Sequence, residues 1–161
     1  MAKTLKYLNE APLFFANKVS KKRPLIVNTT GVFYTYEHPF ETINTIGRKD
    51  YFLIYITKGR LNIRVNGEEL VAREGSIVLI PPSTSYSYRA SPPIHYAYVH
   101  FTGSYAESLL QECGIYPLPF FKSINYSSTL HSELDRLINT FLFDISLSSQ
   151  KCAHILEGII I

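Results

Sequence analysis

The feature that most constrains the fold is a strict alternation of apolar and polar residues over positions 60–66. Leu61, Ile63 and Val65 fall on one face of an extended chain, and the polar residues between them fall on the other. This is the pattern of a half-buried strand. The Asn66-Gly67 pair that follows tolerates the two positive φ angles of a type I′ turn. The segment therefore predicts a β-hairpin.

Further strands are predicted on both sides of this hairpin. Tyr51–Ile56 and Ile77–Ile80 are apolar at consecutive positions, so both strands are expected to be covered on both faces. Turn residues recur at short intervals, as they do in a sandwich or a small barrel. The remaining predicted strands cover residues 25–30, 32–36, 86–89 and 94–101, and residues 38–47 and 81–85 are predicted to be connections.

Beyond Gly103 the apolar spacing becomes that of helices. Ser104 is predicted to cap a first helix ending at Gly114, and residues 117–121 are predicted to form a loop. Two more amphipathic helices are predicted, from Ser127 or Ser128 and from a cap at Ser148-Ser149. The class is therefore mainly β with two to three C-terminal helices. Its expected divisions are an arm (1–24), a barrel (25–102) and a helical dimerisation region (103–161).

Charge and composition exclude several classes of function. Residues 1–102 carry 13 Lys/Arg against 7 Asp/Glu, whereas residues 103–161 carry 3 against 6. The predicted helices therefore lack the basic face of a helix that enters a DNA groove. No apolar run approaches the ~20 residues of a membrane span. The two cysteines are far apart and are expected to be free thiols in a reducing compartment, which favours the cytoplasm.

The sequence predicts neither a metal site nor a catalytic residue. Gly75, Pro81, Ser83 and Tyr86 have the spacing of the second cupin motif, but a Gly and the metal-binding His of that motif are replaced here. The Glu of the first motif would fall at Phe52, and no His-x-His precedes it. Since cupin metals need imidazole and carboxylate ligands, no metal or other cofactor is expected. No nucleophile motif is present either.

The order of several short segments resembles the N-terminal sensor domain of AraC-family transcriptional regulators. They are residues 48–59, Gly75-x5-Pro81-Pro82, Tyr86-x-Tyr88 and residues 92–103. The resemblance implies a cupin-like barrel, a double-stranded β-helix or jelly roll, that binds a small effector, often a sugar. It also implies helices that pair two subunits. A separate helix-turn-helix domain, which this sequence does not contain, would read the DNA.

Five ring residues are the main candidates for the effector site. Tyr96, Tyr98 and His100 alternate along one strand, and Tyr86 and Tyr88 alternate along another, so each set shares a face. Rings with polar tips that converge inside a barrel suit a polyhydroxylated ligand. The alternative is that these tyrosines are core residues whose hydroxyl groups are already hydrogen-bonded.

The resemblance adds roles for individual positions. It implies that Tyr88, Tyr96 and Tyr98 contact the effector and that Arg48 donates a hydrogen bond to it. Phe15 is a further candidate if the arm closes over the ligand; the other interpretation of the arm is a packed terminus.

The favoured hypothesis is the effector-binding and dimerisation domain of a cytoplasmic AraC-family transcription activator that senses a mono- or oligosaccharide. Cys152, Leu156 and Ile159 are predicted to form the contacts of a homodimer, and DNA would be bound only through the further domain. Two alternatives stay open. One is a cupin-fold enzyme of the isomerase or dioxygenase type, and the other is an interaction module whose barrel is filled by side chains.

Overall fold

The computed structural model describes residues 19, 21–144 and 146–161. This part of the chain is mainly β with three helices after the long strands, which confirms the predicted class. None of its helices has the length and apolarity needed to span a bilayer. The elements are β1 (Ile26–Thr35), β2 (Phe40–Asn44), β3 (Tyr51–Val65), β4 (Glu68–Arg73), β5 (Ser76–Ile80), β6 (Tyr86–Thr102), α1 (Ala106–Glu112), β7 (Phe120–Ser123), α2 (Ser128–Phe143) and α3 (Ser148–Ile160).

The strands form one antiparallel sheet in which β3 and β6 are central. The strand order is β1-β6-β3-β5-β7, with β2 paired to β6 and β4 paired to β3. The predicted hairpin joins β3 and β4, and Asn66 and Gly67 have φ angles of 50° and 84°. The β3–β6 register shifts on both sides of Lys58. Gly59 makes this irregularity possible, because a Cβ there would lie 2.2 Å from the carbonyl oxygen of Pro93.

Four sequence predictions differ from the observed strands. The predicted connection at 38–47 contains β2, and the predicted loop at 117–121 contains the start of β7. Both are short strands with few buried residues, so neither produces the apolar pattern that reveals a strand. The predicted breaks at Gly31 and at Pro92-Pro93 lie inside single strands, β1 and β6. The prolines fall where the β3–β6 register is irregular, so they remove no regular ladder hydrogen bond.

The two faces of the sheet build two separate cores. We call them the inner core, which contains Phe52, Ile54 and the tyrosines of β6, and the outer core, which contains Tyr55, Phe101 and the helices. Along β6 and in the first part of β3, up to Ile56, even-numbered residues enter the inner core and odd-numbered residues enter the outer core. This follows from the alternation of side chains along a strand. The irregularity around Lys58 reverses this parity in β3, so Leu61, Ile63 and Val65 lie in the inner core.

The helices cover the outer core, and their start signals were predicted with mixed success. Ser127 caps α2, its Oγ accepting from the Leu130 N–H at 3.2 Å, so the helix begins at Ser128, one of the two predicted starts. The Tyr55 hydroxyl accepts from the Ser127 N–H at 3.0 Å, which ties β3 to this helix start. By contrast, Tyr105 and not Ser104 occupies the cap position of α1. The helix α3 begins at Ser148, directly after Leu147 and without a side-chain cap.

The structure corrects the residues proposed for the dimer contact. Cys152 and Leu156 are both 0% exposed and lie in the outer core of their own chain. Their apolar spacing therefore marks the side of α3 that packs against α2 and β1. Ile159 is half-buried and faces a cleft in the same core. Pairing of two subunits stays a prediction, and Cys152 and Leu156 have no surface to contribute to it.

The burial of Leu156 inside its own chain can be tested by substituting a charged residue. We expect Leu156→Asp to destabilise the fold by several kcal/mol, because it would place an unpaired charge in an apolar core. The matched control is His154→Asp on the exposed side of the same helix, which should change stability by no more than about 0.5 kcal/mol. Thermal unfolding followed by circular dichroism measures both. If the Leu156→Asp protein keeps the wild-type unfolding midpoint but changes its state of association, Leu156 is a dimer contact and the correction is wrong.

Candidate functional site

The five predicted ring residues form one connected network on the inner face. The Tyr86 and Tyr88 rings are parallel within 6° with centroids 6.2 Å apart, and Tyr88 meets Tyr96 edge-on at 6.3 Å. Tyr96 lies 6.5 Å from Tyr98, which in turn lies 5.8 Å from His100. All but the half-buried Tyr98 are buried. The prediction that these residues come together is therefore correct.

This network requires β6 to bend sharply. Tyr88 and Tyr96 are eight residues apart on the same strand, which corresponds to about 27 Å in a straight strand. Their rings are nevertheless 6.3 Å apart. The irregular stretch at Pro92-Pro93 lies between them, as expected where a strand turns. The segment predicted as a break between two strands thus brings their rings together.

Three phenylalanines that the sequence analysis did not select complete the network. Phe52 stacks on His100 with centroids 4.3 Å apart and approaches Tyr86 at 5.6 Å. Phe33 stacks on Tyr96 at 5.0 Å, and Phe40 lies 6.0 Å from Tyr88. Phe52 could have been found, because it shares the even-numbered face of β3 with Ile54. Phe40 could not, because its strand was predicted as a connection.

A glycine on the neighbouring strand makes room for Tyr98. Gly31 is the register partner of Tyr98, and a Cβ at Gly31 would lie 2.9 Å from the Tyr98 hydroxyl oxygen. The Thr30 hydroxyl donates to the Tyr98 carbonyl at 2.7 Å and fixes the backbone beside it. Gly31 is therefore needed for side-chain space, which explains why a glycine occurs inside a long strand.

A charged cluster borders the ring network at His100. Asp50, whose side chain is 0% exposed, accepts from Arg48 Nε at 2.7 Å and from Arg48 Nη2 at 2.9 Å. Asn28 Nδ2 donates to the same carboxylate at 2.9 Å. His100 Nδ1 lies 3.5 Å from Asp50 Oδ1 but forms no well-aligned hydrogen bond within the described part of the chain. Arg48 thus lies beside the network, and Asp50 is the residue that joins them. The hydrogen bond from Arg48 to the effector stays a prediction.

The protonation states in this cluster follow from burial and from the neighbouring groups. Burial by itself would raise the pKa of Asp50, but His100, Arg48 and Asn28 together outweigh it and lower that pKa. Burial lowers the pKa of His100, and the Arg48 charge adds to this effect against the opposing effect of Asp50. At neutral pH the described residues of the site therefore include the Arg48–Asp50 ion pair and an uncharged imidazole.

The hydroxyl groups of Tyr86, Tyr96 and Tyr98 are protonated donors. Burial is the largest cause that raises the pKa values of Tyr86, Tyr96 and Tyr98, most strongly that of Tyr96. Asn44 Nδ2 donates to the Tyr86 hydroxyl at 3.4 Å. Aromatic faces with polar edges can hold the apolar and polar sides of one small molecule. Among the described residues no group of three His, Cys, Asp or Glu side chains is placed to hold a metal ion.

Phe15 lies outside the described residues, so its place relative to the rings stays a prediction. Asn28, in contrast, was missed although it contacts the buried carboxylate. Its position in a predicted strand gave no signal, because an isolated Asn near a strand start is compatible with an exposed position. Asn28 donates to Asp50 because that carboxylate is buried and needs a donor. The sequence did not reveal the burial of Asp50 either.

A concave region lies on the other side of the sheet from the ring network. This outer cleft has a volume of about 540 Å³ and lies between the sheet, α1, β7 and the helices α2 and α3. Its walls are mostly apolar, and Lys122 is the charged residue among them; the others include Leu53, Ile77, Leu110, Phe120, Leu130 and Ile159. Small-molecule sites combine apolar walls with a few convergent polar groups. The inner face has such groups in number, so it is the better candidate.

Comparison with known proteins now identifies the family. A model of the AraC-like ligand binding domain matches residues 38–158, which is most of the chain. The chain belongs to this family. The matched range contains Arg48, Asp50 and all five ring residues of the network.

Several solved structures resemble this AraC-like domain, and the similarity to ToxT supports the fold. ToxT from Vibrio cholerae matches with a TM-score of 0.52 and 12% identity, over 86% of this chain and 55% of the ToxT chain. KdgF from Halomonas sp. has a TM-score of 0.40 and 17% identity, over 52% of this chain and 72% of the KdgF chain. The cupin domain of Cnp3 from Schizosaccharomyces pombe has a TM-score of 0.42 and 15% identity, over 63% of this chain and 71% of the Cnp3 chain. The comparison with curated proteins found no match.

These comparisons confirm the predicted family and the cupin-like fold with C-terminal helices. At 12% identity the similarity to ToxT concerns the fold alone, and this chain spans about half the length of the ToxT chain. The roles of individual residues in this AraC-like domain therefore depend on its own geometry.

The contact between Gly31 and Tyr98 can be tested by a double-mutant cycle. We expect Gly31→Ala to lower the free energy of unfolding by about 1–2 kcal/mol, because the added methyl group overpacks against the Tyr98 ring. The cost should be smaller in a Tyr98→Phe background, from which the nearest atom is absent. Gly158→Ala is the control, since a Cβ there meets open space. Urea unfolding gives these values, and an equal cost in both backgrounds would show that Tyr98 is not the obstacle.

Proposed function

We propose that this AraC-like domain senses a small, uncharged, hydroxyl-rich effector, a mono- or oligosaccharide, that binds among the tyrosines on the inner face. The observation that carries the proposal is the connected network from Tyr86 to His100. Aromatic faces pack against the C–H surfaces of a sugar, and the phenol groups can exchange hydrogen bonds with its hydroxyl groups.

The charges around the network favour an uncharged effector. Asp50 and Arg48 neutralise each other through two short contacts. The pKa of His100 is lowered by burial, so its imidazole adds no charge at neutral pH. A charged ligand would bring an unpaired charge into a buried site, which costs several kcal/mol. A neutral polyol avoids this cost and can still form hydrogen bonds.

Family membership supports a regulatory rather than an enzymatic role. In this proposal the domain is the sensing part of a transcription regulator, an activator that acts as a homodimer and binds DNA through a separate domain. The effector can shift such an equilibrium only by its difference in affinity for the two states. Within the described ranges of the chain, no observation specifically favours the cupin-enzyme alternative. The other alternative, an interaction module whose barrel is filled by side chains, would bind no small molecule. A measurement of ligand binding therefore distinguishes it from the sensor.

The contacts at the start of the described chain support a link between the arm and the helices. The Ser104 and Tyr105 N–H groups donate to the carbonyl oxygens of Arg23 and Pro24, both at 3.0 Å. Arg23 Nη1 also donates to Ser149 Oγ at 2.9 Å. The end of the arm is thus attached to α1 and α3. An arm that closes over the effector would transmit strain to the helical region directly.

A thermal-shift screen with neutral mono- and oligosaccharides tests the function. A compound at about 100 times its Kd should stabilise the protein by about 2.7 kcal/mol. Tyr98→Ala should then weaken binding about tenfold or more, because one aromatic face is lost. The matched control is Tyr36→Ala, since the Tyr36 ring is 55% exposed and lies outside the inner core. Equal losses in both variants, or no stabilising sugar in a broad panel, would contradict the proposal.

A further inference from the structure

We propose that Asp50 is a positioning residue of the effector site. Its carboxylate fixes the orientation of Arg48 and holds His100 in the tautomer that carries its proton on Nδ1. The His100 Nε2 is then the acceptor for a hydroxyl group of the effector. The effector part of this inference rests on the proposed function, whereas the tautomer is a property of the protein alone.

Asp50 is placed to organise its surroundings. Its side chain has no exposed surface, and it contacts three polar side chains, those of Arg48, Asn28 and His100. The Arg48 contact uses both Nε and Nη2, at 2.7 and 2.9 Å. Such a two-point contact fixes the plane of a guanidinium group as well as its distance. Because the Asp50 carboxylate is buried among these partners, it orients their side chains and does not itself contact the effector.

The orientation of His100 is fixed from two directions. Its ring is stacked on Phe52 with centroids 4.3 Å apart and planes within 19°, which sets the plane of the imidazole. Within that plane Nδ1 faces Asp50 Oδ1 at 3.5 Å. This distance is beyond a normal hydrogen bond, but the nearest group is still a buried negative charge. A lone pair on Nδ1 would point at that charge, whereas an N–H would be attracted to it.

The preferred tautomer decides what His100 can recognise. The state of one ring nitrogen determines what the other can do. With the proton on Nδ1, Nε2 carries a lone pair and accepts a hydrogen bond. The partner group must then be a donor, such as a hydroxyl. An analogue of the effector that lacks this hydroxyl would leave a buried acceptor unpaired, and sites of this kind discriminate strongly against such analogues. His100 would thus select for a hydroxyl at one position of the effector.

Nuclear magnetic resonance of protein labelled with ¹⁵N-histidine tests the tautomer without any ligand. Long-range ¹H–¹⁵N correlations distinguish a protonated Nδ1 from a protonated Nε2, and His100→Gln assigns the signals. We expect the wild type to show His100 protonated on Nδ1. In Asp50→Asn the Nε2–H form should become the main one, while the exposed His154 is unchanged. A wild-type His100 protonated on Nε2 would overturn the inference, and this result does not depend on the folding of Asp50→Asn. An Asp50→Asn protein that keeps the Nδ1–H form would also overturn it.

Binding measurements test the second half with a sugar that stabilises the protein. Calorimetry should show that Asp50→Asn and His100→Gln each raise Kd about tenfold or more, with little further loss in the double variant. The control is Glu41→Gln, which removes an exposed carboxylate and should leave Kd unchanged. Binding that survives both substitutions would overturn the role in recognition while leaving the proposed function intact. If no sugar binds, the proposed function and the role of His100 in recognition are both wrong. The ¹⁵N-histidine measurement of the tautomer then still decides whether Asp50 positions His100.

Discussion

The antiparallel pairing of β3 with β6 is the interaction on which the rest of this structure depends. The two strands are paired along nearly their whole lengths, from Tyr51 with Phe101 to Val65 with Tyr86. Because side chains alternate, this single ladder places every second residue of both strands on each side of the sheet. One side becomes the aromatic inner face and the other becomes the base on which the helices pack. A slip of one residue would exchange the two surfaces, so the register fixes the candidate site and the helical core together.

The same arrangement provides a short route from the inner face to the helices. Ile54 and Ile56 lie in the inner core, and between them Tyr55 reaches through the outer core to the cap residue of α2, Ser127. A change in β3 that follows binding on its inner face would therefore act directly on the start of a helix. On β6, Tyr98 has outer-core neighbours on both sides in Ala97 and Val99. Sensing in the proposed function needs no long chain of intermediate contacts, because the two cores share their strands.

The sequence was sufficient for the fold class and for much of the candidate site, for a simple reason. Alternation along a strand is a local property, so the shared face of Tyr96, Tyr98 and His100 can be deduced without any tertiary information. The meeting of Tyr88 with Tyr96 depends on a bend at Pro92-Pro93, and the sequence indicated that irregularity as a break. The family resemblance supplied Arg48. Each of these predictions used a signal within a few residues of the position concerned.

What the sequence could not reveal depends on distant contacts. Asp50 resembles an exposed residue of a charged turn, and only the folded chain shows that Arg48 and Asn28 enclose it. The apolar spacing of α3 is equally consistent with packing inside the chain and with a dimer contact. The structure shows that Leu156 is used for the former. A periodic pattern identifies which side of a helix is buried, but it does not identify what covers that side.

The central claim is that the tyrosine-lined inner face, and not the outer cleft, binds the effector. A crystal structure of the protein with a stabilising sugar bound tests this claim most directly. The account predicts the sugar against Tyr88, Tyr96 and Tyr98, with one of its hydroxyl groups at His100. A sugar located instead in the outer cleft beside Leu53 and Ile77, with the inner face filled by side chains, would contradict it.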